Sequence, residues 1–374
     1  MKQILPILAT LLAGTFNMNA KQLLVFVGAY ASGPEQGISV YRMCSSSGSL
    51  TKLSVLGGQK NPSFLEVHPN GKYLYAVNEI GTFEGKKQGA VSAYAIDAQK
   101  GELTFLNQQG SGGGSPCHLS IDEAGRNVLV ANYSGGSVTC LQIGKEGRLS
   151  PSTDFIQHEG SSINKSRQSA PHGHSINFDP ANKFAFAADL GLDKVLVYKV
   201  DSEKGKMKPH GHAEVAPGSG PRHFAFRPDG KFAYVINELL SNVTAFKYDS
   251  KGGLSEIQTI STLPTGYSDR NSTAEVRVHP NGKFLYGSNR GHDSIAIFQI
   301  HEQLGTLTPV DEVKTGGRTP RNFNISPDGK FLIAANQSTA NIVVFNVDPH
   351  TGMLTPTGHE VETDKPVCIR FLEI

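Results

Sequence analysis

Apolar and polar positions alternate along this chain in short runs, and the runs recur. Six segments are near copies: HPNGKYLYAVNE from His68, DEAGRNVLVANY from Asp122, DPANKFAFAADL from Asp179, RPDGKFAYVINE from Arg227, HPNGKFLYGSNR from His279 and SPDGKFLIAANQ from Ser326. In each, an apolar run enters a turn of the Pro-Asn/Asp-Gly type and leaves as a strand of alternating aromatic and small residues. The starting positions lie 47 to 57 residues apart, the period of propeller blades. Two more strands follow each copy, as in SNVTAFKYD and GGLSEIQTIST. Such a four-stranded meander could stack as an open solenoid, but units of this length favour a closed ring.

Six copies leave both ends of the chain over. The opening LLVFVGAY, ISVYRMC and LTKLSVLGG match the second, third and fourth strands of a blade, and the closing PVCIRF from Pro366 matches a first strand. The expected fold is therefore all-β: a seven-bladed propeller with four antiparallel strands per blade. Its C-terminal strand completes the N-terminal blade, which also covers edges that an open sheet would leave unpaired.

The first twenty residues break this pattern. Lys2 precedes an almost unbroken apolar stretch from Ile4 to Phe16, and Met18-Asn19-Ala20 ends in a small residue. That is the form of a signal peptide cleaved after about Ala20, and it is too short for a stable membrane span. The expected organisation is residues 1–20 as signal peptide and 21–374 as one propeller domain, periplasmic or secreted and without a membrane anchor. Forty-one glycines, 20 prolines and no tryptophan suit short strands and tight turns. A net charge of +2 with 18% charged residues carries no nucleic-acid footprint. The four cysteines, Cys44, Cys117, Cys140 and Cys368, match no zinc spacing.

Architecture then says where chemistry gathers. Strands one and two of a blade are joined by the repeated turn, so the start of one and the end of the other share the opposite edge. Arg222 and Glu238 are offset about equally from the Pro228-Asp229-Gly230 turn and should be neighbours at the mouth of the central channel. The first ring of residues there reads Ser63, Cys117, His174, Arg222, Ala274, Arg321 and Val367. The next reads Phe64, His118, Ser175, His223, Glu275, Asn322 and Cys368. The second strands end in Glu79, Tyr133, Leu190, Glu238, Arg290 and Gln337, each except Leu190 preceded by an asparagine read as structural. The longest irregular segments, 79–90, 158–170 and 264–273, open on the same face.

Histidines, arginines and a carboxylate at one mouth suit an anionic or carbonyl-containing substrate. Arginines hold carboxylate or phosphate and can steady an oxyanion, while a histidine or glutamate can take a proton from water. The plainer alternatives are a buried Arg222–Glu238 ion pair and a satisfied core histidine at His174. Metal binding by His172, His174 and His223 is disfavoured, because adjacent strand residues point to opposite faces. No Gly-x-Ser-x-Gly elbow and no P-loop occur, which argues against an α/β-hydrolase or a nucleotide enzyme.

The stretches Pro171-His-Gly-His-Ser175, Gly220-Pro-Arg-His-Phe224, Val235-Ile-Asn-Glu238, Ser288-Asn-Arg290 and Pro320-Arg-Asn-Phe323 resemble those of the seven-bladed lactonase family. That family includes propeller-type 6-phosphogluconolactonases and fungal carboxy-cis,cis-muconate cyclases. The resemblance covers nearly the whole chain after the leader. It implies hydrolysis of a sugar lactone without metal or other cofactor, and a catalytic set of His174, Arg222, Glu238 and Arg290. His118, His172, His223 and Arg321 would complete the substrate pocket. Either His174 or Glu238 would activate water. The alternatives are a muconate-cyclase-like lactone-forming enzyme and a non-enzymatic propeller that binds a sugar acid or a protein. The expected partner is a small lactone or sugar acid, with no nucleic acid and no defined oligomer. Export and a cytoplasmic phosphorylated substrate belong to different compartments, so the particular lactone stays open.

Overall fold

The computed structural model describes residues 22–31 and 33–374, so the proposed leader lies outside the described residues. Twenty-eight strands, numbered β1 to β28 in chain order, form seven four-stranded antiparallel sheets. Six sheets are consecutive meanders. The seventh is assembled from both ends in the order β28, β1, β2, β3. In it β28 (Pro366–Glu373) pairs antiparallel with β1 (Gln22–Ala29), setting Leu24 opposite Leu372 and Val27 opposite Ile369. The closure read from the sequence is the closure found.

The innermost strands are β4 (Leu65–Val67), β8 (Pro116–Ile121), β12 (Gly173–Phe178), β16 (Pro221–Phe226), β20 (Ser272–Val278), β24 (Pro320–Ile325) and β28. Each contacts the innermost strand of the blades beside it, which makes a complete ring. The connecting turns explain the repeated glycine. Gly230 donates its N–H to the Arg227 carbonyl at 2.9 Å with φ of +67°. An L side chain resists that left-handed conformation. The copy from Asp179 lacks the glycine, and there Asn182 takes the same conformation at φ +54°, as asparagine does more readily than most residues.

Between blades the core is apolar, and repeated tyrosines fasten one blade to the next. Tyr75, Tyr234 and Tyr286, all fully buried, donate their hydroxyls to the carbonyls of Gly147, Gly305 and Gly352 at 2.8, 3.0 and 2.8 Å. A Cβ on Gly305 would stand 2.2 Å from the Phe232 ring, so only glycine lets that turn lie against its neighbour. The asparagines that end the second strands are also architectural. Asn132, for example, is fully buried and donates to the Ser111 carbonyl and the Thr139 hydroxyl. Asp189 replaces this asparagine in one blade and cannot donate. There His158 Nδ1–H donates to Asp189 at 2.6 Å, and the Tyr198 hydroxyl donates to His158 Nε2 at 2.9 Å.

Candidate active site

Strict alternation would send consecutive residues of an inner strand to opposite faces. The structure departs from it at one position in β8, β12, β16 and β24. Cys117, His174, Arg222 and Arg321 each sit at a register shift, between Pro116 and His118, Gly173 and Ser175, Pro221 and His223, and Pro320 and Asn322. A bulge of this kind re-aims a side chain. Consecutive residues such as Arg222 and His223 therefore both face the channel axis, one above the other, while Phe224 joins the core between blades. His172, His174 and His223, which alternation would keep from sharing a metal ion, are not separated in that way. His174 and His223 do meet, with ring centroids 5.5 Å apart, while His172 lies outside, stacked on Tyr133 at 4.6 Å. Among the described residues no three His, Cys, Asp or Glu side chains are grouped to hold a metal ion.

The upper tier opens into a pocket of about 230 Å³ lined by Glu79, Cys117, Tyr133, Arg167, His174, Glu238, Arg290 and Arg321. Glu238, immediately after β17 (Phe232–Asn237), is its hub. One carboxylate oxygen, Oε2, accepts from Arg222 Nε at 3.1 Å and lies 2.8 Å from Arg290 Nη2. The other, Oε1, accepts from Arg167 Nη2 at 2.6 Å. His174 Nε2 stands 3.9 Å from Oε2. The backbone carbonyls of Ala274 and Thr273 take further N–H groups of Arg222 and Arg290, both at 2.6 Å, and fix the two guanidiniums. Arg290 Nε is buried with no partner.

Electrostatics follow from this packing. Burial alone would raise the Glu238 pKa, but Arg290 and Arg222 outweigh it and hold the carboxyl well below its usual range. Burial, aided by Arg222, pushes His174 well below its usual value, so the imidazole is neutral at pH 7. Burial and the nearby Arg290 and Arg321 bring Arg222 down to about 9, which leaves it a cation at neutral pH.

The four residues expected to be catalytic thus converge, with Arg222, 2% exposed, behind Glu238 rather than on the pocket wall. Of the four expected to complete the pocket, Arg321 lines it. His172 supports Tyr133 from outside, its Nδ1 3.0 Å from the Tyr133 carbonyl. His118 and His223, 5% and 4% exposed, lie in the tier below. There His223 Nδ1–H donates to Glu275 at 3.0 Å, Asn322 also donates to Glu275, and the His118 ring packs 4.2 Å from Phe64. His223 reaches only a small void beneath the main pocket. Arg167 and Tyr133 were not among the sequence candidates. Arg167 belongs to the 158–170 segment, where loop length was the sole signal.

The resemblance noted in the sequence is confirmed by comparison with known proteins. A family model described as "Lactonase, 7-bladed beta-propeller" matches residues 24–371. A Bacillus subtilis protein named 6-phosphogluconolactonase is 37% identical over 299 residues, covering 80% of this chain and 83% of the relative. A solved structure from Bacteroides fragilis is 40% identical at a TM-score of 0.88, covering 96% of this chain and 99% of that one. A Pseudomonas aeruginosa structure described as a periplasmic gluconolactonase is 33% identical at a TM-score of 0.88, covering 94% and 99%. The chain belongs to the seven-bladed β-propeller lactonase family, and as a lactonase it is a carboxylic-ester hydrolase.

Proposed function

We propose that this lactonase opens a small anionic sugar lactone with His174 as general base. The observation that carries the reading is the His174 ring on the pocket wall, its Nε2 3.9 Å from a carboxylate that three arginines already hold. Glu238 is a poor proton acceptor in that state, which favours His174 over it for activating water. His174 takes a proton as water adds to the ring carbonyl carbon, and Glu238 steadies the imidazolium. Arg290, which lines the pocket, holds the developing oxyanion. The C–O bond to the ring oxygen then breaks as His174 returns the proton to that oxygen, giving the hydroxy acid. Arg222 keeps Glu238 charged and in place. Arg167 and Arg321 draw in the anion: with Arg222 and Arg290 they set four guanidiniums against the two carboxylates Glu79 and Glu238.

The reading includes export of residues 21–374 as one propeller domain. Two observations support it: the charged and apolar start of the chain, and the likeness to a Pseudomonas protein described as periplasmic. No described helix is long and apolar enough to cross a membrane. The test is hydrolysis of a panel of free and phosphorylated aldonolactones by purified mature protein. Turnover of at least one member is expected, and no turnover of any would reject the reading.

A further inference from the structure

The pocket has two unlike walls. On the Glu238 side three arginines occupy the carboxylate, so it has little capacity left for a ligand's hydroxyl groups. On the opposite side Glu79 receives only neutral donors. The Tyr30 hydroxyl lies 2.9 Å and Ser63 Oγ 2.6 Å from Glu79 Oε2, and no ion pair reaches Glu79 among the described residues. A carboxylate has about four acceptor positions, so lone pairs remain on the pocket side. Arg321 lines the same wall. Its guanidinium makes no hydrogen bond or ion pair among the described residues, and lies over the Tyr30 ring at 5.2 Å. Tyr30 thus spans a carboxylate and a guanidinium that share a wall without bonding each other.

A ligand hydroxyl both donates and accepts. Neighbouring hydroxyls can donate to Glu79 while their oxygens accept from Arg321, so one run of carbons bearing hydroxyls satisfies both groups. An aliphatic acid or lactone without hydroxyls would displace water from Glu79 and Arg321 and return nothing, a strong source of discrimination. We propose that Glu79, set by Tyr30 and Ser63, is a specificity-determining residue that with Arg321 reads neighbouring hydroxyls of the ligand and so discriminates against its deoxy counterparts. The inference rests on the lactonase reading for its turnover consequence but not for its binding consequence.

The experiment is calorimetric titration of the mature protein with D-gluconate and with hexanoate, which share chain length and carboxylate and differ in hydroxyls. The wild type is expected to bind gluconate at least about tenfold more tightly, and Glu79→Gln to remove most of that ratio, since hydrogen bonds to charged groups carry effects of this size. Ser63→Ala, which frees Glu79 without removing its charge, should lower the ratio less. It serves as the second variant should Glu79→Gln fail to fold by its melting curve. A wild type that binds hexanoate as well as gluconate, or that binds neither, overturns the inference. So does a folded Glu79→Gln that keeps the wild-type ratio. Absence of lactone turnover would sink the hydrolase reading while leaving this ratio to be measured.

Discussion

Two tiers of polar side chains fill the channel, drawn in part from adjacent residues of the same inner strands, and they behave differently. In the upper tier Arg290 Nε is unpartnered, Arg321 makes no hydrogen bond among the described residues, and the groups face a pocket. In the lower tier His223, Asn322 and Arg277 close on Glu275, and Arg370 on Glu66 at 3.0 Å, with the Arg370 guanidinium 4.5 Å over Phe64. Composition does not separate the tiers, since both hold histidine and arginine. What separates them is the open space each meets: the upper tier lines the main pocket, whereas the lower tier, where His223 Nε2 and Arg277 Nε also lack a hydrogen-bond partner among the described residues, reaches only a small void.

That contrast is sharpest where activity and stability can be read on the same variant. Arg290→Ala is expected to cut kcat by roughly 10²–10³-fold, the usual effect of losing an oxyanion donor, with the melting temperature nearly unchanged. An equal loss of melting temperature would make the upper tier structural too. Glu275→Ala should do the reverse. It leaves His223, Asn322 and Arg277 facing an empty buried site, at a destabilisation on the order of 3–5 kcal/mol, while the folded fraction keeps its turnover. Denaturant unfolding alongside a lactonase assay checks both.

Acid should weaken both tiers. Burial holds His118, His174 and His223 below the ordinary histidine pKa of 6.5. Between that value and the lower folded one, the unfolded chain binds more protons, so stability falls as pH drops below 6.5. The loss is up to about 1.4 kcal/mol per histidine per pH unit. Glu238, depressed when folded, contributes above its ordinary value of 4.5 and loses that contribution only as pH falls through its folded value. Melting curves from pH 8 to 5 should therefore decline below about 6.5, and a flat profile would mean that the histidines take up protons in the fold as readily as in the unfolded chain. The smallest expected effect is at His118, which accepts from the Ile176 N–H at 3.3 Å. His118→Gln keeps an acceptor and should change stability by about 1 kcal/mol or less and turnover per folded molecule by less than about threefold. A large loss of turnover would place His118 at the substrate after all.

The fold was legible because each blade repeats its turn chemistry. The Pro-Asp-Gly copies mark strand ends, and equal offsets from Gly230 bring Arg222 to Glu238 without further information. The two rings of channel residues were legible, but not which of them meets the pocket: a bulge at Cys117, His174, Arg222 and Arg321 overrides strict alternation and leaves His118 and His223 in the ring below. Glu79 and Tyr133 stood in the ring of strand ends, yet nothing local distinguishes a carboxylate bound by Tyr30 and Ser63 from one facing solvent. Arg167 comes from an irregular segment outside the repeated strands, and its 2.6 Å contact with Glu238 is set by tertiary folding alone.

Whether the upper tier is catalytic through His174 is decided by one paired measurement. It is lactone hydrolysis and thermal melting of His174→Ala beside the wild type, at a pH where spontaneous ring opening is slow. The expected result is a fall in turnover of roughly 10²–10⁴-fold with melting little changed. A folded His174→Ala that hydrolyses the lactone at the wild-type rate would contradict that catalytic role.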